Sequence, residues 1–428
     1  MYKTNKRIIV DKSLEKLKIG VLGGGISGLS IARLLHDRYE VEVLEALPLC
    51  GGIARTTDVN GIAYHTVGGH CFNSKHQDVL SFVFEQVLPL DQWNKIERKS
   101  KIKFHGYEVD YPIEFSIKQI YEHDKELAKK LTLDFLNSTD DGKYANLKEW
   151  FQKKFGNSFA EEYFIPYNRK IWNNDPANMS YLWVEDKLPI PDKDSFFEGL
   201  ISNIKDKMSH AVFYYPKSNN QNTFLDALAN GLNIKNNYKV TSINFDQTAK
   251  KWVINGTDSY DLIINTTPLD KLIDLFSNVP EKVQNMARSL KKNGVSNVLW
   301  KTQDTDKTWT YIPDKDFLFH RYIHIGSYFT PCQQVSISEV IGNHSATEMI
   351  EAGQSDPFLI EPLAHSISEY AYVVFDENYA EATSTIQNYL QDMGVYTLGR
   401  FGEWQYYNMD ICIKKAIDLS KIITNKYN

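Results

Sequence analysis

Cysteine is scarce in this sequence, and the cysteines present are widely spaced. Cys50, Cys71, Cys332 and Cys412 form no CxxC pair within 428 residues. Such spacing supports neither a metal site nor a disulfide framework. We therefore expect free thiols in a reducing compartment and assign no residue to a metal.

Long apolar runs and dense basic runs are also missing. No apolar stretch reaches the roughly 18 residues that a membrane-spanning helix needs, and residues 1–18 lack the apolar core and cleavage site of a signal peptide. A net charge of −6, without clustered Lys and Arg, argues against a nucleic-acid partner. The expectation is a cytoplasmic protein without a membrane span. The sequence leaves the oligomeric state open.

The composition is that of a globular protein, with 42% hydrophobic and 24% charged residues. The length predicts two or three substructures. Residues 17–23 are typical of a buried strand, 26–36 of a helix and 41–45 of a second strand, which together make one βαβ unit. Further helices are predicted over 76–92, 114–170 and 221–232 and at the C-terminal end, and strands between about 238–268 and 295–375.

A glycine-rich turn stands between the first strand and the first helix. Gly23, Gly25 and Gly28 form the pattern GxGxxG, in which the backbone can approach a pyrophosphate and the helix N-terminus supplies unpaired N–H groups. Glu45 closes the second strand, where its carboxylate can accept hydrogen bonds from a ribose diol. These features predict a bound dinucleotide.

A second glycine pair follows directly after that acid. The stretch "CGGIART" (50–56) resembles flavoproteins of the amine oxidase and glutathione reductase type, in which it contacts the flavin's phosphates and ribose. The alternative is a glycine turn that leaves the sheet. The segment "LGRFGEWQYYNMD" (398–410) runs into a helix, and flavoproteins of this class commonly bring such a segment back to the flavin. The resemblance favours FAD over NAD.

At this point the residues resemble one family, UDP-galactopyranose mutase, particularly its eukaryotic-type branch, within the amine oxidase and protoporphyrinogen oxidase-like flavoproteins. The resemblance covers almost the whole chain from residue 17. It rests on segments that follow in the family's order: "HTVGGHCFNSK" (65–75), "DYPIEF" (110–115), "FIPYNRKIW" (164–172), "WVEDKLP" (183–189), "WTYIP" (309–313), "FHRYIHIGSYFTP" (319–331) and "GRFGEWQYY" (399–407).

The resemblance implies an α/β fold, in which a Rossmann-type FAD-binding domain is joined by an inserted helical domain and an antiparallel β-sheet domain. The substrate cleft is expected between them, with a mobile loop near 175–195. The implied domain ranges are 17–80, 213–300 and 393–425 for the discontinuous FAD-binding domain, 81–212 for the helical domain and 301–392 for the sheet domain.

The family interconverts the six-membered and five-membered ring forms of UDP-galactose without net redox change. The N5 atom of the reduced flavin attacks the anomeric carbon of the sugar and displaces UDP. The resemblance therefore implies FAD that is active in the reduced form, a nucleotide-sugar substrate and an unidentified electron donor. It also implies a role in cell-surface polysaccharide biosynthesis.

The resemblance assigns roles to single residues. The implied catalytic residues are Arg321, which holds the diphosphate, Lys187 at a second phosphate-binding position, and His70 in a loop that responds to flavin reduction. The implied substrate contacts are Tyr372 and Tyr406 at the phosphates, Trp309 and Tyr311 as an aromatic wall, and Tyr111 and Asn168 at the uridine. The expected cofactor contacts are Gly23, Gly25, Gly28, Glu45, Gly52, Arg55, Gly69, Val240, Arg400 and Asn408.

Taken singly, these residues have ordinary structural explanations. Arg321 could be a surface residue held by cation–π contacts, and Tyr372 could be a core tyrosine. Trp309 and Tyr311 share one face of a strand, which also fits a plain sheet core. A lone histidine such as His70 is more often structural than catalytic. Only the joint match to the family's order favours the functional interpretation.

Two positions depart from the family's pattern. Lys187 stands where the family has an arginine, so the positive charge is kept but the planar fork that grips two phosphate oxygens is lost. Glu114 replaces a glutamine near the uridine, and a carboxylate cannot donate a hydrogen bond unless it is protonated. These changes leave open UDP-N-acetylgalactosamine or a dTDP-deoxysugar as the substrate.

Two competing functions remain open on the sequence. One is an FAD-dependent oxidase of the amine or protoporphyrinogen oxidase type, which would need an apolar or amine-accepting pocket. The other is an inactive flavoprotein that binds a nucleotide sugar or a protein partner. The Lys187 substitution is the main support for the second alternative.

Overall fold

A five-stranded parallel sheet organises the part of the chain that carries the glycine turn. The computed structural model describes residues 16–184, 188, 190–201 and 211–427. From edge to edge, the strands of this sheet are Tyr396–Thr397, Leu262–Asn265, Lys18–Leu22, Glu40–Leu44 and Asn233–Lys235. All neighbouring pairs are parallel.

Helices cover this sheet, which is why its central strands are almost continuously apolar. Ile19, Val21 and Ile264 are fully buried. Helix Ile26–Leu35 follows the first strand and packs against the C-terminal helix Met409–Lys426. This confirms the βαβ unit and the final helix expected from the sequence.

A second, seven-stranded sheet lies in the remainder of the chain. Its strand order is Leu359–Val373, Lys292–Thr302, Val335–Ile341, Arg321–Ile323, Trp309–Tyr311, Ser100–Phe104 and Tyr107–Asp110. Neighbours are antiparallel except for Trp309–Tyr311 and Ser100–Phe104, which run parallel. The sheet therefore joins strands that lie more than 200 residues apart in the sequence.

Helices fill most of the segment between residues 113 and 201. An aromatic core holds them together: the Phe155 and Phe164 rings stack with centroids 4.2 Å apart, and Trp150 is fully buried. The α-helices here are Ile117–His123, Lys125–Asn137, Leu147–Phe159, Ile165–Trp172 and Lys193–Ile201, with the π-helical turn Ala160–Phe164 and the 3₁₀ turns Ile113–Phe115 and Pro176–Asn178.

Shorter elements complete the described chain. Three small antiparallel sheets pair Ile243–Asp246, Lys251–Ile254 and Asp258–Tyr260; Thr56–Val59 and Ile62–His65; and Trp93–Glu97 and Val212–Pro216. The other helices and turns are Gly52–Ala54, Gln77–Ser81 with Phe82–Val87, Leu90–Gln92, Asn222–Ala229, Leu269–Leu272 with Ile273–Leu275, Glu281–Ser289, Ile325–Tyr328, Ala346–Gly353, Tyr379–Asp392 and Gly399–Gly402.

The predicted α/β fold class is confirmed, whereas the helical prediction for 81–212 missed three strands. These are Trp93–Glu97, Ser100–Phe104 and Tyr107–Asp110. In "SKIKF" the side chains alternate between buried and partly exposed, which is the strand period, but the run is short and rich in lysine. Strand Lys292–Thr302 likewise belongs to the seven-stranded sheet, although it begins inside the range 213–300. The domain boundaries themselves stay a prediction.

None of the helices in the described part of the chain combines the length and the apolar character that crossing a bilayer requires.

Candidate active site

A cavity of about 950 Å³ is lined by residues from both large sheets. This volume lies at the upper end of the range of ligand pockets, roughly 300–1,000 Å³. On one side it meets the carboxyl ends of the parallel strands, through Leu22–Ser27, Leu44–Ala46 and Thr266–Pro268. Open α/β sheets bind ligands at this edge. The other side is formed by residues of the seven-stranded sheet.

The three glycines of the GxGxxG pattern have different roles. Gly23 has φ +96°, a conformation that favours glycine. A Cβ atom on Gly28 would lie 1.9 Å from the carbonyl oxygen of Gly23, so Gly28 allows the helix to pack against the turn. A Cβ on Gly25 would meet no described atom within 4 Å, because this residue faces the cavity. Gly25 is thus the position at which a phosphate can approach the backbone closely.

Glu45 lines the cavity with its carboxylate held by the backbone. Its Oε2 atom accepts a hydrogen bond from the N–H of Gly24 at 2.7 Å, and Oε1 accepts one from the N–H of Leu47 at 2.8 Å. Each carboxylate oxygen can accept a further hydrogen bond. The acid is therefore placed to receive the hydroxyl groups of a ribose.

Two helix N-termini face the same cavity. Gly25 is the N-cap residue of helix Ile26–Leu35, and Asn408 is the N-cap residue of helix Met409–Lys426. Neither cap residue forms a side-chain hydrogen bond to its helix within the described structure. Asn408, Met409 and Ile26 all line the cavity. Unpaired N–H groups and the positive helix ends therefore favour anionic or electron-rich groups there.

At the other end, Arg321 forms a buried ion pair with Glu339. The two residues lie directly opposite each other on neighbouring strands. The Arg321 Nε atom donates to Glu339 Oε1 at 2.8 Å, and Nη2 donates to the Tyr372 hydroxyl at 2.9 Å. Glu339 is fully buried, and His320 Nε2 lies 3.2 Å from its carboxylate. This network fixes the orientation of the guanidinium.

The ion pair decides the charge of Glu339. Burial would raise the pKa of its carboxyl, but the positive charge of Arg321 and the hydrogen bonds from His320 and Arg321 outweigh burial and lower the pKa to about 2. Burial alone would lower the pKa of the Arg321 guanidinium, but the negative charge of Glu339 raises it. The net effect is a pKa well above the ordinary value of an arginine. Both groups are therefore charged at neutral pH.

Arg400 lies beside two stacked tyrosine rings that border the cavity. Its guanidinium carbon is 5.1 Å from the Tyr372 ring centroid and 4.8 Å from that of Tyr406. One Nη donates to the carbonyl of Ala371. Its Nε is buried without a hydrogen-bond partner among the described residues.

His70 faces the cavity as a neutral imidazole. Burial is the main cause that lowers its pKa to about 4, with the charges of Arg400 and Arg321 adding to the effect and Glu339 opposing it. Its Nδ1 is buried and has no partner in the described chain. The His70 backbone N–H donates to His65 Nδ1 at 3.2 Å, and His65 Nε2 lies 2.9 Å from the Tyr215 hydroxyl. This chain of contacts fixes the backbone at His70.

Most of the residues predicted for the site meet at this one cavity. Of the predicted residues, the following line it: Gly23, Gly25, Glu45, Gly52, Gly69, His70, Val240, Trp309, Tyr311, Arg321, Tyr372, Arg400, Tyr406 and Asn408. Residues from the N-terminal quarter, the middle and the C-terminal end of the chain are thereby brought together.

Some of the predicted residues do not line the cavity. Gly28 is a packing residue, and Arg55 is bound to Asp226 at 2.5 Å and to the carbonyl of Cys50. The side-chain Nδ2 of Asn168 donates to the carbonyl oxygen of Phe164 at 2.8 Å, and its Oδ1 accepts a hydrogen bond from Trp172 Nε1 at 3.0 Å. Tyr111 stands behind Tyr311, with ring centroids 5.1 Å apart.

The two positions that depart from the family's pattern give different outcomes. Lys187 lies outside the described residues. Glu114 is 3% exposed and does not line the cavity, and burial raises the pKa of its carboxyl to about 8. At neutral pH this side chain is therefore mainly a neutral acid that can donate a hydrogen bond.

Two charged residues that contact Tyr311 or Tyr372, Arg98 and Glu339, were not predicted from the sequence. Glu339 interrupts "VSISEVI", a strand whose residues are all buried, and a lone acid in such a run is a usable signal for a buried ion pair. Arg98 stands in "IERKSKIK", where it resembles an ordinary solvated charge. Its neighbours in space, Trp309 and Tyr311, are more than 200 residues away in sequence.

The sequence pattern of one family, flavin containing amine oxidoreductase, matches residues 26–313. The chain belongs to the flavin-containing amine oxidoreductase family. It is 36% identical to amine oxidase [flavin-containing] B of Cavia porcellus over 86 residues, 20% of this chain and 16% of that protein. It is 24% identical to dTDP-fucopyranose mutase of Escherichia coli over 167 residues, 38% of this chain and 43% of that protein. The chain thus spans less than half the length of these curated relatives.

Two solved structures share the fold over nearly the whole chain. A reduced UDP-galactopyranose mutase superimposes with a TM-score of 0.83 at 21% identity and covers 96% of this chain and 94% of its own. A putative protoporphyrinogen oxidase from Exiguobacterium sp. 255-15 gives 0.73 at 15% identity, with 96% and 99% covered. At these identities the similarity establishes the fold alone.

The flavin that defines this family fits the residues present. The open side of Gly25, the two helix N-termini and the backbone-held carboxylate of Glu45 form a cradle for a dinucleotide. His70 and Arg400 line the same cavity, and each has a buried polar atom without a partner in the described chain, Nδ1 in His70 and Nε in Arg400. The donor set therefore matches a cofactor that joins a diphosphate to a polar ring system.

Proposed function

We propose that this flavoprotein is an FAD-dependent nucleotide-sugar mutase. It interconverts UDP-galactopyranose and UDP-galactofuranose, or the two ring forms of a closely related nucleotide sugar. The single observation that carries the proposal is the set of arginines on the cavity wall, Arg98, Arg321 and Arg400. Of these, only Arg321 forms an ion pair with a carboxylate within the described residues. Around Tyr311 and Tyr372 these three guanidiniums contact the same end of the cavity as one carboxylate, Glu339, and such a local excess of positive charge favours a diphosphate over an amine.

We propose FAD as the flavin because the glycine cradle and the helix N-terminus at Asn408 are arranged for a dinucleotide. When bound in its reduced form, FAD supplies a nucleophile for the anomeric carbon of the sugar. The residues proposed to hold it are Gly23, Gly25, Glu45, Gly52, Gly69, Val240, Arg400 and Asn408, with an unidentified electron donor needed to keep it reduced.

The remaining polar residues act on the departing nucleotide. Arg321 is oriented by Glu339 and Tyr372 before the substrate arrives, so little reorganisation is needed when negative charge develops on the diphosphate. The hydroxyls of Tyr372 and Tyr406 are proposed as further donors. His70 is neutral at physiological pH and adds no charge of its own to the reacting centre.

The identity of the nucleotide sugar is the finer part of the proposal. UDP-galactose remains the first substrate to test. The similarity to dTDP-fucopyranose mutase supports a dTDP-deoxysugar as the next, and UDP-N-acetylgalactosamine follows. Glu114 does not line the cavity, so the change from glutamine to glutamate there is no objection to a uridine nucleotide.

An amine-oxidising function is the second candidate, because the family and amine oxidase B are both matched. The stacked rings of Tyr372 and Tyr406, with centroids 6.0 Å apart, could also border a cationic substrate. The nearby guanidinium of Arg400 would repel such a cation.

The test is ring interconversion by purified protein with its bound FAD. Dithionite-reduced protein should convert UDP-galactofuranose into UDP-galactopyranose, and the oxidised protein should not. Arg321→Lys keeps the charge opposite Glu339 but loses the planar fork, so it should retain the yellow flavin and lose most turnover. Stoichiometric bleaching of the flavin by benzylamine, without conversion of any nucleotide sugar, would establish the oxidase instead.

A further inference from the structure

Arg98 lies on the cavity wall among aromatic rings. Its guanidinium carbon is 4.7 Å from the Trp309 ring centroid and 5.7 Å from that of Tyr111. Nη2 donates to the Tyr311 hydroxyl at 2.6 Å, and Nε donates to Ser100 Oγ at 2.9 Å. The side chain is thereby held in one orientation, with donors of its fork left over for a ligand.

The charge of Arg98 is not balanced by a neighbouring acid. No carboxylate forms an ion pair with it in residues 16–184, 188, 190–201 and 211–427. Arg98 is half-buried, and cation–π contacts and hydroxyl acceptors offset only part of the desolvation of its charge. A ligand that brings negative charge into the cavity would offset the rest.

Arg98 and Arg321 contact or lie opposite the same residue, Tyr311. Tyr311, to which Arg98 donates, lies directly opposite Arg321 on the neighbouring strand. Cross-strand partners have Cα atoms about 5 Å apart. Arg98 and Arg321 therefore both lie around the Tyr311 side chain, and Arg321 already shares its charge with Glu339.

We propose that Arg98 is a substrate-binding residue whose guanidinium, together with Arg321, holds the diphosphate of the nucleotide sugar. The inference rests on the proposed function and assigns a second phosphate-binding arginine to a segment that the sequence analysis left without a role. A diphosphate bound between two planar forks would need no arginine at position 187.

The test measures equilibrium binding of UDP, UMP and uridine to the FAD-loaded protein and to two variants. Arg98→Gln should weaken UDP binding by about 10- to 100-fold, since a charge-assisted hydrogen bond is lost, and should leave uridine binding unchanged. Arg98→Lys keeps the charge, so its UDP affinity should lie between those of the wild-type protein and Arg98→Gln. Arg288→Gln, which removes an exposed arginine outside the cavity, controls for net charge.

Each result bears on the proposal. UDP affinity within about twofold of wild type in both variants would overturn it, and so would a parallel loss of uridine binding. Loss of FAD from both variants would show that Arg98 supports the cofactor or the fold, which also overturns it. If the protein interconverts the two ring forms but UDP affinity does not depend on Arg98, this inference alone is refuted. If UDP affinity depends on Arg98 but no ring interconversion occurs, the mutase function alone is refuted.

Discussion

The two ends of the cavity are built in opposite ways. At the glycine end, the working parts are backbone atoms and one carboxylate, most of them within residues 22–52, joined by the helix N-terminus at Asn408. At the arginine end, the working parts are side chains from four separate strands or loops: the charged Arg98, Arg321 and Glu339 and the phenol of Tyr372. The glycine end requires that certain residues carry no Cβ atom, and the arginine end requires that Glu339 keeps the opposite charge of Arg321 beside it.

The two ends of the cavity are therefore sensitive to different kinds of substitution. A glycine cradle tolerates changes in distant residues but no added carbon at the wrong place. A buried charge network tolerates shape changes but not the loss of one partner, because an unpaired buried charge is far more costly than a missing contact. Substitutions at the two ends should therefore fail for different physical reasons.

The largest effect is expected at the arginine end. Arg321→Met leaves Glu339 buried without its counter-charge and should lower the free energy of unfolding by about 3–5 kcal/mol. The double variant Arg321→Met with Glu339→Gln removes both charges and should recover most of that loss. Urea denaturation at neutral pH measures both. Equal destabilisation of the single and double variants would show that the pair is not coupled as described.

The glycine end should respond to the position of one methyl group. Gly28→Ala places a carbon 1.9 Å from a backbone oxygen and should destabilise the apoprotein by about 1–3 kcal/mol or more. Gly25→Ala meets open space and should leave apoprotein stability unchanged while weakening FAD binding. Urea denaturation of the apoproteins and FAD titration separate these effects. Similar apoprotein stabilities for the two variants would contradict the assigned glycine roles.

An effect that is spread over several pH units follows from Glu114, which lies behind the arginine end. Its folded-state pKa of about 8 is above the ordinary 4.5, so the folded state retains a proton that the unfolded chain releases between these values. The contribution of Glu114 to stability is therefore full below pH 4.5 and is lost as the pH rises to about 8. Relative to Glu114→Gln, wild type should lose on the order of 1 kcal/mol per pH unit from pH 5 to 8.

Denaturation curves at several pH values check the Glu114 prediction. Glu122→Gln, at an exposed position, is the matched control and should keep the wild-type slope. A wild-type slope in Glu114→Gln would mean that other groups titrate in this range.

The smallest effect concerns a single hydroxyl at the arginine end. Tyr372→Phe removes the acceptor for Arg321 Nη2 and should lower UDP affinity by about five- to tenfold, as expected for about 1 kcal/mol. Calorimetric titration with UDP measures it, with the exposed Tyr121→Phe as control. An unchanged affinity would show that Glu339 alone orients Arg321.

The success of the sequence analysis follows the same division. The βαβ unit, the glycine turn and the acid after the second strand were predicted because their signals are contiguous. Strand Ser100–Phe104 was missed because two lysines and a short length hide its alternation. Arg321, Tyr372 and Tyr406 were assigned through the family resemblance and not from periodicity, and Glu339 had a signal in its buried strand that was not used.

A dinucleotide cradle near residue 23 could be predicted from the sequence alone, since a strand, three glycines and a helix start contact one another within a few residues. The charges at the other end of the cavity are brought together by tertiary contacts. Arg98 and Glu339 acquire their partners from strands that are far away along the chain. Electrostatic partnership depends on distance in space, and the pairing of strands sets that distance.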